Sequence, residues 1–272
     1  AVFFKIKKFK QAFFDFNLAI TINPNFSSAY CNRGSIYFEL NDYENAHKDF
    51  ESAIKFKKNY AEAYLKIGLI YNNLGKYKLA LNYYTTALSY KNPYPEAEWN
   101  ISLIYLLTGN FHSGWQLFEN RWKVPTLSTF KTRREFNQTL WLGQPNIKNK
   151  KLLIHCEQGL GDSIQFFRYI PYLHELEITV ILEVQPSLIE LISPIIDIEY
   201  IIPQGNPLPD FDYHCPLMSL PLALSDTLTH IPSSPRYLTS NHVKINLWNK
   251  QLGTSDKFRI GIVWSGATSH RN

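Results

Sequence analysis

Three consecutive stretches decide the fold: SSAYCNRGSIYFELNDYENAHKDFESAIKFKKNY (27–60), AEAYLKIGLIYNNLGKYKLALNYYTTALSYKNPY (61–94) and PEAEWNISLIYLLTGNFHSGWQLFENRW (95–122). They begin 34 positions apart, and aromatic or small residues recur at matching positions. The matching sets are Tyr37, Tyr71 and Tyr105; Tyr43, Tyr77 and Phe111; Ala46, Ala80 and Gly114; and Phe50, Tyr84 and Phe118. A repeat of this length is typical of an α-solenoid, in which helical hairpins stack in a row.

Glycines mark two places in these units. Gly34 and Gly68 lie within the first predicted helix, where the missing side chain lets the second helix approach closely. Gly75 and Gly109 lie in the turn before the second helix. Each unit is therefore predicted to be a hairpin whose aromatic residues pack against the next unit, so that no unit buries its apolar face alone.

The pattern Gly-x-x-Tyr followed by Ala-x-x-x-Phe resembles the tetratricopeptide repeat. Continuing the same register backward places Phe9, Ala12, Phe16, Ala19 and Pro24 at the positions of a second helix. Residues 1–122 are thus expected to hold half a repeat and three full units, with the chain starting inside a repeat. The resemblance implies a concave face that binds a protein or peptide.

Asn32 and Asn100 occupy the sixth position of their units, with Lys66 at that position between them. This resembles the repeat superhelix of O-GlcNAc transferases, where a ladder of asparagines holds a peptide backbone. An asparagine amide can both donate and accept hydrogen bonds, which suits an extended peptide. The resemblance implies that Asn32 and Asn100 bind peptide; the alternative is a pair of solvated polar residues.

The composition is that of a chain that folds, because 45% of its residues are hydrophobic and 15% are aromatic. The formal net charge is only +5, and the basic residues at 5–10 form a short cluster typical of a solvated face. A nucleic-acid partner is therefore not expected. No run of about 18 apolar residues is present, so no membrane span is expected.

The three cysteines, Cys31, Cys156 and Cys215, lie far apart and form no C-x-x-C pair. Their odd number leaves one thiol unpaired under any disulfide scheme, which indicates a reducing compartment. No secretory signal is visible, although the chain begins with Ala1 rather than Met. We expect a cytoplasmic protein.

The repeat register ends at Trp122, and residues 123–149, rich in Thr, Asn, Lys and Arg, are predicted to be a connector. Beyond it, short apolar strands alternate with helical stretches, which predicts a parallel sheet with right-handed crossovers. The predicted strands are 152–156, 178–184 and 200–202, and the predicted helices are 163–176 and 186–192.

The last part of the chain is less regular. Residues 203–235 are proline-rich without periodicity, and a helix is predicted around 243–252. One further apolar strand, 258–264, is followed by Ser265 and Gly266. Because that strand would lack neighbours, we expect the chain to stop within a second α/β unit.

The segment 157–169, EQGLGDSIQFFRY, lies between the first predicted strand and the helix after it. Ligands gather at the carboxyl ends of strands in open α/β sheets, and glycines there let a ligand approach the backbone. A dinucleotide site would need a third glycine where Ile164 stands and an acid about 20 residues on, for which Glu183 is available.

A second hypothesis rests on four motifs: Trp141-Leu142-Gly143, the segment 157–169, the run Asp212–Leu217 and the strand Arg259–Gly266. In this order they resemble bacterial tetratricopeptide proteins that carry a heptosyltransferase-like glycosyltransferase domain. The resemblance implies an α/β Rossmann-like acceptor lobe over 150–256 and the start of a truncated donor lobe over 257–272. It implies a nucleotide-sugar donor as a substrate and no cofactor. No spacing of His, Cys and carboxylates predicts a metal site.

The resemblance also assigns roles to residues. Gly161-Asp162 matches the glycine-aspartate of the acceptor lobe, whose carboxylate is the base for the acceptor hydroxyl. An N-terminal helix cap, with Gln165 completing a capping box, is an alternative role for Asp162. Arg168 either neutralises a substrate or pairs locally, and His155 is predicted to be a core histidine. The acceptor-binding candidates are Gln158, Gly159, Gly161, Gln165, Arg168 and His214, and the donor-binding candidates are Ser265 and Gly266.

The sequence therefore favours a glycosyltransferase whose repeats position a protein or glycan acceptor, with this fragment itself inactive. The alternative is a non-catalytic scaffold, in which the repeats bind partner proteins and the α/β domain has no activity.

Overall fold

The computed structural model describes residues 9–193, 200–225, 231–232, 237–238, 240–255 and 257–260. The N-terminal part of this range is helical. Its helices are α1 (Phe9–Ile22), α2 (Ser27–Glu39), α3 (Tyr43–Phe56), α4 (Ala61–Asn73), α5 (Tyr77–Tyr90), α6 (Pro95–Leu107) and α7 (Phe111–Phe118).

Three helical hairpins follow α1, and each lies within one of the three repeat units: α2 with α3, α4 with α5, and α6 with α7. α1 packs against α2 in the way that α3 packs against α4. α2 also packs against α4, so the first helices of these two hairpins lie side by side. The surface formed by the first helices α2, α4 and α6 is called the inner face of the stack. The predicted helical solenoid is confirmed.

The close crossing of the two helices depends on small residues. A Cβ atom on Gly34 would lie 2.8 Å from Cε1 of Phe50, and one on Gly68 would lie 2.5 Å from Cε1 of Tyr84. Both distances are shorter than carbon contacts allow, so only glycine fits without displacing the ring. In the third unit the matching position holds Ser102, which is fully buried.

The turn inside each hairpin passes through a left-handed residue. Gly75 has φ of 69° and Gly109 has φ of 84°. The first unit uses Asn41 instead, with φ of 61°. Asparagine tolerates this conformation better than most other side chains do, so the first unit makes the same turn without a glycine.

After the repeats the chain forms a parallel α/β unit. Its five strands lie in the order β1-β5-β2-β3-β4, and all neighbouring pairs are parallel. In chain order the elements are a 3₁₀ turn (Glu119–Lys123), α8 (Ser128–Lys131), β1 (Thr139–Leu140), β2 (Lys151–His155), α9 (Leu160–Phe166), α10 (Ile170–Glu175), β3 (Thr179–Val184), α11 (Ile189–Ile192), β4 (Tyr200–Pro203), β5 (Tyr213–Pro216), α12 (Leu220–Ala223) and α13 (His242–Leu252). The predicted parallel sheet is thus present.

Several elements differ from the sequence prediction. The predicted connector, 123–149, contributes the edge strand β1 and buries Trp141 and Ile147 in the sheet's core. Strand β5 lies in the stretch that shows no periodicity. The predicted helix over 163–176 is two helices separated by a 3₁₀ turn, because Pro171 has no amide hydrogen to continue the first.

The last hairpin packs directly onto the α/β unit. The Trp99 and Phe118 rings lie 4.9 Å apart, and the Trp115 ring meets Phe166 edge-on at 5.9 Å. Phe118 and Phe166 belong to the same buried cluster as strands β2 and β3. The repeats and the sheet therefore share an apolar core at their junction.

None of the helices within the described ranges is both long enough and apolar enough to cross a bilayer.

Candidate functional site

A cavity of about 500 Å³ lies at the carboxyl ends of β2, β3 and β4, which end at His155, Val184 and Pro203. Ligands of open parallel sheets bind at this edge. Residues that follow the strands line the cavity together with residues that follow the repeats. The lining includes Trp122, Thr132, Arg134, His155, Cys156, Glu157, Gln158, Glu183, Gln204, Gly205 and Asn206.

Beside the cavity, Arg121 forms a buried cluster of hydrogen bonds. It donates to Oε1 of Glu119 at 2.6 Å, to Oε1 of Glu157 at 2.9 Å and to Oγ of Ser219 at 2.7 Å. The Arg121 side chain is fully buried, and its guanidinium lies 4.6 Å from the Trp122 ring. Arg121 thus ties the segment that follows α7 to the α/β unit.

The position of this cluster follows from the strand order. From β2 the chain continues to β3 and β4 on one side of β2, and it then returns to form β5 on the other side. The direction in which strands are added therefore reverses between β2 and β5. Glu157 follows β2 and Ser219 follows β5. Arg121 therefore fills the crevice in which doubly wound sheets commonly hold a ligand.

Glu157 is unusual among these residues. Burial raises the pKa of its carboxyl group from 4.5 to about 7, although the neighbouring Arg121 guanidinium opposes this rise. Its Oε1 accepts from Arg121. The Met218 backbone amide also helps to hold the pKa down, although Oε2 makes no hydrogen bond of good geometry with a described group. A buried acceptor without a well-placed donor costs about 1–3 kcal/mol.

Two histidines lie side by side on β2 and β5. Nε2 of His155 and Nδ1 of His214 are 3.4 Å apart, and the Phe136 ring contacts both. Burial, His214 and Arg134 lower the pKa of His155 to about 3, and burial also lowers the pKa of His214. Both rings are therefore neutral at neutral pH. His155 is buried as predicted, whereas His214 lies on a strand and not in the irregular segment predicted for it.

Arg134 and Glu183 form an ion pair at the wall of the cavity. The Glu183 side chain is almost fully buried, and the guanidinium of Arg134 lies 4.8 Å from the Phe136 ring. Glu183 is the acid that a dinucleotide site would use for ribose. Its carboxylate is already paired with Arg134, which weakens the dinucleotide hypothesis.

Asp162 does not cap its helix in the predicted way. Helix α9 begins at Leu160, so Asp162 lies in the first turn, where its Oδ2 accepts a 3.1 Å hydrogen bond from the Gly159 amide. The predicted capping box with Gln165 is therefore wrong, because the helix starts before Asp162 rather than after it. Asp162 still satisfies a backbone donor at the helix start.

The other predicted acceptor-binding residues do not converge on one place. Gln158 lines the cavity, whereas Gly159 and Gly161 lie at the start of α9. Nε of Arg168 donates to the Gln165 carbonyl at 2.9 Å, which is the predicted local alternative. Ser265 and Gly266 lie outside the described residues.

Sequence reasoning missed Arg121, Arg134 and a role for Glu157. The contacts of Arg121 span 36 residues to Glu157 and 98 residues to Ser219. No local pattern encodes contacts at that range. The one available signal was an arginine between Phe118 and Trp122, where the repeat register ends.

On the repeats, Asn32 and Asn100 are half-buried on the first helices of their hairpins. Nδ2 of Asn100 donates to the Glu96 carbonyl at 2.7 Å, which leaves its Oδ1 and one amide hydrogen. Asn32 makes no side-chain hydrogen bond with a described residue. Both side chains keep hydrogen-bonding capacity on the inner side of the stack.

Family models of the tetratricopeptide repeat match residues 16–48, 34–75 and 61–94. A comparison with curated proteins found no match. The solved structures of MamA, the OM64 TPR domain and the second RPAP3 TPR domain overlap part of the chain with TM-scores of 0.40 or lower, so the assignment of the repeats rests on the family models.

These three structures illustrate the partial overlap. MamA is 24% identical, covers 43% of this chain and 69% of its own, and gives a TM-score of 0.40. The Arabidopsis OM64 TPR domain is 25% identical, and the match covers 39% of this chain and 88% of the OM64 chain with a TM-score of 0.38. The second TPR domain of human RPAP3, solved with an HSP70 peptide, is 27% identical. This match covers 38% of this chain and 85% of the RPAP3 domain with a TM-score of 0.35. Residues 16–94 of this chain are tetratricopeptide repeats.

Proposed function

We propose that the repeats bind an extended segment of a partner protein along the face formed by α2, α4 and α6. The observation that carries this proposal is the match of residues 16–94 to tetratricopeptide models, together with the stacked hairpins. Stacked helical hairpins create extended concave surfaces, and repeat proteins use these surfaces for binding.

The inner face offers both polar and apolar contacts. Glu62 and Lys66 are four residues apart on α4 and share one side of the helix. On the matching side of α6, Asn100 is followed by Leu103 and Leu107, whose exposed fractions are 39% and 64%. A partner segment that fits here has an apolar side chain opposite α6 and hydrogen-bonding backbone or polar groups opposite α2 and α4.

Replacing both inner asparagines tests the proposal. We expect Asn32→Ala with Asn100→Ala to weaken binding to an array of unstructured peptides by roughly tenfold, because two hydrogen bonds to the peptide are lost. Asn82→Ala is the matched control, since Asn82 is exposed on α5, a second helix. If the double variant and the control both bind peptides as the unaltered chain does, the two asparagines are not part of the binding surface.

A second candidate function is glycosyl transfer by a protein that carries this α/β unit as its acceptor lobe. The observation in its favour is the parallel sheet with a cavity at the carboxyl ends of its strands. Asp162 stands in the helix turn that follows β2, close in sequence to Gln158 on the cavity wall. In this proposal Asp162 accepts the proton of the acceptor hydroxyl, and the repeats present the acceptor.

Asp162→Asn separates this role from a structural one. Asparagine keeps an oxygen that can accept from the Gly159 amide, so stability should fall only by the lost charge at the helix start, about 0.3–1 kcal/mol. Asparagine cannot take the proton, so turnover by the two-lobed protein should fall by about 10²–10⁴. Steady-state rates and melting temperatures of the two proteins provide the comparison, and near-normal turnover by the variant would exclude Asp162 as the base.

A further inference from the structure

A short segment, residues 133–137, lies between α8 and β1 at the carboxyl ends of the strands, and we call it the strap. Its backbone is held loosely, because no residue of the strap makes a backbone–backbone hydrogen bond with a described residue. Three of its five side chains are exposed. The contacts that fasten the strap to the α/β unit come from the side chains of Arg134 and Phe136.

Each of these two side chains contacts residues of the sheet. Arg134 donates to the carboxylate of Glu183, which is almost fully buried, whereas the Arg134 side chain itself is 41% exposed. The Phe136 ring lies 4.6 Å from the His214 ring and 5.4 Å from the His155 ring. Arg134 is therefore the ionic contact of the strap, and Phe136 is its aromatic contact.

Arg134 occupies part of the cavity at the carboxyl ends of β2, β3 and β4. It lines this cavity together with Glu183, so its guanidinium group takes up space beside a buried carboxylate. The guanidinium also lies 4.8 Å from the Phe136 ring, and Trp122 adds a second aromatic side chain to the wall. A carboxylate with aromatic rings beside it is a favourable environment for an organic cation. Arg134 thus lies where a cationic ligand would bind.

The charges around the cavity favour a cation over an anion. Among the described residues, three carboxyl groups and two guanidinium groups lie in or beside it: Glu119, Glu157, Glu183, Arg121 and Arg134. Without Arg134, the guanidinium group that remains is that of Arg121, which already pairs with two of the carboxyl groups. Glu183 would then lack its described cationic partner, and an anionic ligand would only add to the negative charge.

We propose that the strap is an autoinhibitory lid, in which Arg134 fills a binding site for an organic cation on Glu183. A ligand that carries a guanidinium group replaces Arg134, because this planar group matches a carboxylate as the arginine itself does. The strap then detaches, and Phe136 leaves the two histidines. This site depends neither on peptide binding by the repeats nor on glycosyl transfer, so each of the three proposals can fail alone.

A fluorine label reports the state of the strap. 4-Fluorophenylalanine at position 136 differs from phenylalanine by one atom, and ¹⁹F NMR separates a ring that lies against the histidines from a ring in solvent. The probes are butylguanidine and butylurea, a neutral molecule of nearly the same shape. A tethered group has an effective concentration on the order of millimolar, so we expect butylguanidine at about 50 mM to raise the ratio of detached to attached strap roughly fivefold. Butylurea should leave this ratio unchanged.

Removing Arg134 tests its role as the occupant of the site. Arg134→Gln should raise the ratio of detached to attached strap roughly tenfold without any ligand. In calorimetry it should bind butylguanidine about tenfold more tightly than the unaltered chain does, because the site is empty. Arg133→Gln is the matched control, since Arg133 is exposed next to Arg134 and is not among the residues that line the cavity. It should behave as the unaltered chain does.

Arg134→Gln leaves Glu183 unpaired, so a double variant keeps the test decisive if the single variant does not fold. Arg134→Gln with Glu183→Gln removes both charges, and it should detach the strap and lose butylguanidine binding. The proposal is overturned if the strap of the double variant stays attached as in the unaltered chain, if the double variant still binds butylguanidine, or if butylurea acts as butylguanidine does.

A third probe separates two sources of the guanidinium group. Nα-acetyl-arginine N-methylamide carries this group on a peptide backbone, whereas butylguanidine carries it on a simple alkyl chain. Tighter binding of the arginine derivative to Arg134→Gln would identify the ligand as an arginine side chain of a protein. Tighter binding of butylguanidine would identify it as a small free guanidine.

Discussion

At the scale of single residues, burial shifts the pKa values of His155 and Glu157, at the end of β2, in opposite directions. Burial disfavours the charged form of each group, so it lowers the pKa of His155 to about 3 and raises the pKa of Glu157 to about 7. The ordinary values are 6.5 and 4.5. The two groups therefore affect stability oppositely over the same range of pH.

Between pH 7 and 4.5 the folded state retains a proton on Glu157 that the unfolded state releases, so acidification stabilises the fold through Glu157. Between pH 6.5 and 3 His155 binds a proton in the unfolded state but stays neutral in the folded state, so acidification destabilises the fold through His155. The lowered pKa of His214 acts in the same direction as that of His155. From pH 6.5 to 4.5 the contributions of His155 and Glu157 oppose each other.

This opposition makes a prediction for two single variants. Relative to the unaltered chain, Glu157→Gln should lose stability more steeply on acidification from pH 6.5 to 4.5, and His155→Gln less steeply. The difference in slope is at most about 1.4 kcal/mol per pH unit for one proton. Denaturant unfolding of the three proteins at several pH values in this window measures it. Parallel curves for all three would mean that neither group titrates differently in the folded and unfolded states.

The candidate site could be predicted from the sequence only where local chemistry marks it. The glycine-containing turn after β2 and the location of a cleft there follow from 157–169 and the strand pattern. Arg134 and Arg121 could not be predicted, because their partners Glu183, Glu157 and Ser219 come from distant elements that only the folded sheet brings together.

At the scale of elements, the repeats are predictable because their contacts are local. Each hairpin joins helices that are adjacent in the chain, and each interface repeats with the same period, so Tyr84 and Phe50 mark equivalent positions. Strands β2, β3 and β4 were also predicted, because each contains a short apolar run. Such runs are typical of buried parallel strands, and β2 and β3 are buried, whereas β4 is only partly buried.

The short strands β1 and β5 were missed for the converse reason. Thr139–Leu140 is exposed at the edge of the sheet, and Tyr213–Pro216 contains a half-buried histidine and ends in a proline. Neither segment has an apolar run, and each is fixed as a strand by pairing with a partner far away in the chain. Their pairing is a tertiary effect that propensity does not encode.

At the scale of the whole molecule, the repeats end on the sheet without a free linker. Trp99, Trp115 and Phe118 of the last hairpin pack against the α/β core, and Arg121 adds a buried ionic contact with Glu157. The last hairpin is therefore covered on the side that faces the sheet. The inner face of α2, α4 and α6 remains the surface through which the array can meet a partner.

Site-specific photocrosslinking tests this central claim most directly. A photoreactive benzoylphenylalanine is introduced in separate variants at Glu62 on the inner face of α4, at Asn82 on α5 and at Trp248 on α13, all of which are exposed. Each variant is irradiated with the peptide that binds most strongly in the array.

The account predicts a covalent peptide adduct from position 62 and none from positions 82 and 248, since binding places the peptide along the first helices. An adduct from position 82 or 248, with none from position 62, would contradict the assignment of the inner face as the protein-binding surface.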